Sequence, residues 1–153
     1  MYTKYPITVL VLCFAFLPIT SNAQCRRARS GDIVHGANVY VSLEPASMRR
    51  IHGRLMLPGE EPARDAVVEI YKYYDQPDAQ EPWKIPVNRR RLSACLTDGQ
   101  GRFSISQAKP GKYLLRAGVR QSSGLNAIHV VIVVDPRQRD SRAGLELMLS
   151  PGT

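Results

Sequence analysis

From residue 49 onward apolar and polar residues alternate with a period of two, and helical periodicity is nowhere sustained. In Gly101 to Ser106, Phe103 and Ile105 fall on one face while Arg102, Ser104 and Ser106 fall on the other, as in a half-buried antiparallel strand. From Lys112 the alternation resumes, with Tyr113, Leu115 and Ala117 opposite Arg116 and with Leu114 as the exception. The same pattern predicts strands near 49–57, 66–74, 92–97, 101–106, 112–119, 126–134 and 143–149. Asn126 to Val134 is apolar on both faces, which suits a central strand covered on both sides. Leu145, Leu147 and Leu149 alternate with Glu146 and Met148, and these leucines and the 126–134 segment, with Val68, Ile70, Phe103, Tyr113 and Leu115, form the expected core. Val34 to Leu43 alternates less regularly and is expected to add a strand that covers a sheet edge.

Glycine turns punctuate this pattern. Asp98-Gly99-Gln100-Gly101 joins two strands, because Gly tolerates positive φ and an Asp side chain bonds amides two residues on; Pro110-Gly111 ends the next loop. These turns stand in order with the runs Ile51-His52-Gly53-Arg54-Leu55 and Ala66-Val67-Val68-Glu69-Ile70. The ordered set Gly53, Ala66, Thr97, Asp98, Gly101, Phe103, Pro110, Gly111 and Tyr113 resembles the carboxypeptidase regulatory-like domain, a transthyretin-like (prealbumin-type) sandwich. The likeness runs from roughly Arg49 to Leu149. It implies an all-β fold, a seven-stranded antiparallel Greek-key β-sandwich of Ig-like layout. Residues 49–153 would be that domain and residues 24–48 an N-terminal arm with an edge strand. A fold of this kind does not specify a function.

Residues 1–23 carry one basic residue, Lys4, an apolar stretch from Ile7 to Leu17, Pro18, and small residues Ser21 and Ala23, which together read as a secretory signal peptide. The apolar run is about half the roughly twenty residues that a spanning helix needs, so no transmembrane anchor is expected after processing. Asn22-Ala23-Gln24 before Cys25 lacks the pattern of a lipidation site. Removal of the signal would take Cys13 away and leave Cys25 and Cys95, an even pair in an exported and therefore oxidising setting. A disulfide between them would close a loop of about 70 residues, which the chain model values at up to roughly 4 kcal/mol. The alternative is two separate thiols.

Without the signal, 20 Lys and Arg oppose 13 Asp and Glu, a net charge of +7 with Arg greatly outnumbering Lys. Arginines cluster at Arg26, Arg27 and Arg29, at Arg49 and Arg50, at Arg89, Arg90 and Arg91, and at Arg137, Arg139 and Arg142. They are either solvated loop charges or contacts for an anionic envelope protein, glycan or headgroup. Export and the lack of a nucleic-acid-binding motif argue against nucleic acid as a partner. The long connection from Asp75 to Arg91 holds three prolines and Trp83. Trp83, Tyr73 and Tyr74 are candidate stacking platforms or aromatic anchors, with Arg89, Arg90 and Arg91 beside them; alternatively Trp83 folds back over the sheet.

No G-x-S-x-G elbow, H-E-x-x-H motif or phosphate-cradling glycine loop occurs. His35, His52 and His129 are widely spaced and share no tight spacing with a carboxylate or cysteine, and Asp98 alone in a turn does not make a calcium site. The expectation is a non-catalytic exported module with no cofactor or metal, docking on an envelope protein or glycan. The alternative is a small hydrolase or metal-dependent enzyme on a transthyretin-like fold.

Overall fold

The computed structural model describes residues 25–29, 31, 32, 34, 38–40, 44–73, 90–120, 124–139 and 144–151. Ten strands and no helix occur among them: β1 (Arg26–Arg27), β2 (Asn38–Tyr40), β3 (Ala46–Met48), β4 (Ile51–Met56), β5 (Val67–Lys72), β6 (Arg91–Leu96), β7 (Arg102–Ile105), β8 (Gly111–Gly118), β9 (Ala127–Val134) and β10 (Leu145–Met148). The seven segments expected from the period-two pattern are β4 to β10. Of the segment expected over Val34 to Leu43, the described part that forms a strand is β2.

The strands form two sheets. The larger runs β1-β6-β5-β8-β9-β2, with β3 also on β9, and the smaller runs β10-β4-β7. The protein is thus an all-β sandwich. Its sheets are mixed rather than wholly antiparallel, because β10 pairs parallel with β4 and both β2 and β3 pair parallel with β9. These partners are far apart in the chain, so no hairpin dictates their direction, whereas strands joined by tight turns must run antiparallel.

Ile51 and Leu55 of β4, Phe103 of β7 and Leu145 and Leu147 of β10 meet Val68, Leu115 and Val130 of the large sheet in one core cluster. The leucines of β10, Leu149, Val68, Ile70, Phe103, Tyr113 and Leu115 are buried there as expected, whereas Val131 and Val133 of the 126–134 segment are half-buried. The glycines of the motif explain how closely the strands approach. A Cβ on Gly53 would collide with the Leu145 carbonyl oxygen and lie 2.9 Å from Phe103 Cζ. Gly101 has φ 73°, and its missing Cβ makes room for the Leu55 carbonyl. Asp98 Oδ1 accepts the amides of Gln100 (2.8 Å) and Arg102 (2.9 Å), so its carboxylate closes the turn. Thr97 Oγ1 accepts the Ala66 amide at 2.9 Å and donates to the Ala63 carbonyl, and the Tyr113 hydroxyl donates to Lys109 O at 2.6 Å.

The outer face of the large sheet is covered as well. Val67, Glu69 and Tyr71 are buried although they point away from the core shared by Val68 and Ile70. The N-terminal arm starts at the β6 edge as β1 and reaches the opposite edge, on β9, as β2. Between them Val34 packs against Val67, Leu96 and Ala127, in space that a side chain on Gly118 would fill. Cys25 and Cys95 stand at disulfide distance, Cα to Cα 5.3 Å, and fix the start of the arm to β6.

Candidate functional site

Two features carry chemistry, and the first lies beneath the arm. Register places Glu69 of β5 between Ala94 of β6 and Arg116 of β8, and Arg116 beside His129 of β9. These residues form one row across the outer face. Glu69 and His129 are 1% and 0% exposed. A buried carboxylate requires close compensation. Glu69 Oε1 receives Arg91 Nη1 at 3.1 Å, and its Oε2 receives the Tyr71 hydroxyl at 3.1 Å. The guanidinium of Arg91 also donates to Asp32 O (2.8 Å) and Arg29 O (3.2 Å), so one side chain ties the buried carboxylate to the arm.

Asp32 extends this network. Its carboxylate accepts the Arg29 amide at 2.8 Å and pairs with Arg120 at 2.7 Å. The amide of Arg29 first, and the charge of Arg120 after it, hold the Asp32 carboxyl below the usual carboxylate range against the opposing effect of burial. Burial, reinforced by the Glu69 charge, pushes the Tyr71 phenol up to about 12. Tyr71 therefore stays protonated and serves as a donor to Glu69.

The second feature is an open groove of about 930 Å³ on the side of the sandwich where β6 and β7 face each other. Arg27, Arg29, Arg90 and Arg91 line it together with the exposed Leu92 and the hydroxyl groups of Ser93, Ser104 and Ser106. Its described lining contains no carboxylate and no aromatic residue. Arg27 and Arg90 are exposed and make no ion pair or hydrogen bond through their side chains among the described residues.

Of the residues expected from sequence to form a binding loop, the structure describes Tyr73, Arg90 and Arg91. Tyr74, Trp83 and Arg89 lie outside the described residues. Tyr73 is half-buried at the end of β5 with Lys112 Nζ 4.6 Å from its ring centre. Arg90 is exposed at the groove, whereas Arg91 points inward to Glu69. His52 and His129 occupy strands of different sheets and face opposite outer surfaces, and His35 lies outside the described residues. No group of three metal-ligating side chains occurs among the described residues.

Sequence reasoning missed the row of Glu69, Arg116 and His129. The available signal was phase: Glu69 interrupts the apolar run of β5 on the same face on which Arg116 interrupts β8. No protein-family model matches the chain, and no curated protein matches it.

Proposed function

We propose that this chain is an exported, non-catalytic β-sandwich module of the carboxypeptidase regulatory-like type that docks on an anionic envelope protein or glycan. The observation that carries the reading is the groove beside β6, lined by the exposed Arg27, Arg29 and Arg90 and by no described carboxylate, while Arg91 at its wall is paired with Glu69. A surface of one sign concentrates ligands of the opposite sign. The order of the motif residues from Gly53 to Tyr113 supports the family assignment, and the Cys25–Cys95 pair suits an oxidising compartment.

The buried polar row suits scaffolding better than turnover. Glu69 is bonded on both oxygens and buried, and its partner Arg91 is itself tied to the arm, so a substrate reaches it only if these contacts open. The test is a cross-linking capture of proteins and glycans from envelope and culture fractions at low and high salt. A partner retained at high salt is the expected result. Loss of all capture at high salt would reduce the arginines to a diffuse cationic surface. Turnover abolished by replacing His52 or His129 would instead favour the hydrolase alternative.

A further inference from the structure

We infer that the groove beside β6 takes an acidic, extended peptide segment of a partner protein, held as an added strand; this rests on the docking reading above. Three observations select a peptide. On its outer edge β6 is paired with β1 only at Cys95 and Leu96, with one further bond from the Ala28 amide to Ala94 O. On that edge Leu92 has no ladder partner among the described residues, whereas the amide and carbonyl of Ser93 turn the other way, to Ile70 of β5. An edge strand presents a row of amides and carbonyls that another backbone satisfies and a sugar does not.

The side chains then set the chemistry of the occupant. Exposed Arg27 and Arg90 flank the edge, and no described carboxylate in the groove competes for them. Leu92, 51% exposed, offers an apolar contact between charges. Stacking of sugar rings calls for an aromatic platform, which the described lining lacks. A second copy of this chain is disfavoured as the occupant on charge, since without the signal it brings the same arginines and a net +7.

The test measures binding of the full chain to a labelled peptide alternating Glu and Thr, about ten residues long, against three comparators. These are the Lys/Thr peptide, the acidic peptide methylated on alternate amide nitrogens in either phase, and a sulfated oligosaccharide of similar charge. The acidic peptide should bind, and R27E/R90E should weaken it by roughly tenfold or more. Methylation in one phase should weaken it by a similar factor, and peptide should protect the Leu92 amide from hydrogen exchange. Both arginines are exposed, so unfolding midpoints of the variant should match wild type. No binding of the acidic peptide, equal binding of both methylated forms, or stronger salt-resistant binding of the oligosaccharide would overturn the inference. A partner captured from envelope fractions at high salt by R27E/R90E as well as by wild type would remove the groove but leave the docking role. Absence of any captured partner would remove the role itself.

Discussion

A carboxylate at 1% exposure in a β-strand persists only where its charge is met at close range, and at Glu69 the partners are Arg91 and the Tyr71 hydroxyl. E69A would leave Arg91, with a side chain 24% exposed, without its carboxylate. The expected loss is about 3 kcal/mol by urea unfolding, with part recovered in E69A/R91A because the stranded charge is then gone. Tyr71 gives this network a pH signature. In the folded state its pKa is raised to about 12 from the ordinary 10.0 of a tyrosine. Its contribution is complete below the unfolded value and is lost as pH rises from there through the folded one. Between about pH 10 and 12 the drop should be roughly 2–3 kcal/mol, and Y71F should abolish that slope. At Gly53 the constraint is steric: a Cβ would lie 2.8 Å from Leu145 Cβ and meet the Leu145 carbonyl. G53A should therefore cost about 2–3 kcal/mol in the same assay, since β4 and β10 must separate to admit it.

The arm is the element through which the polar row and the groove are connected. It is fastened by β1 on β6, by the Cys25–Cys95 pair, and by Arg91 and Arg120 reaching Arg29 and Asp32. Replacing both cysteines by alanine should lower stability by up to about 4 kcal/mol on the chain model. Amide exchange should accelerate most along β6 and least along β8 and β9, where the arm contributes no disulfide. The strands from β4 to β10 were legible because period-two alternation is a direct consequence of one face meeting a core. Strands β1 and β3 were not, since Arg26-Arg27 and Ala46-Ser47-Met48 are too short to show a period. Strand direction at β2, β3 and β10 was also hidden, because it depends on where the chain returns and not on side-chain pattern. Arg89 to Arg91 read as one basic cluster in sequence, yet the alternation of a strand sends Arg91 to the carboxylate while Arg90 stays in solvent. The polar row is legible only once register sets Glu69, Arg116 and His129 side by side.

Among the described residues, the small sheet packs on the inner face of the large sheet, and Val34, Arg29 and Asp32 of the arm meet its outer face. The side where β6 and β7 face each other carries, among the described residues, the basic groove at which partners are proposed to dock. Leu92 and Met148 are exposed to nearly the same extent, 51% and 53%, but Leu92 lies in the groove and Met148 on β10, the opposite edge strand of the small sheet from β7. The most direct measurement places a benzophenone-bearing residue at one position or the other and photo-cross-links the chain in envelope fractions at high salt. A discrete protein adduct is expected from position 92, sensitive to R27E/R90E, and none from position 148. Equal adducts from both positions, or adducts from position 148 alone, would contradict docking at the groove.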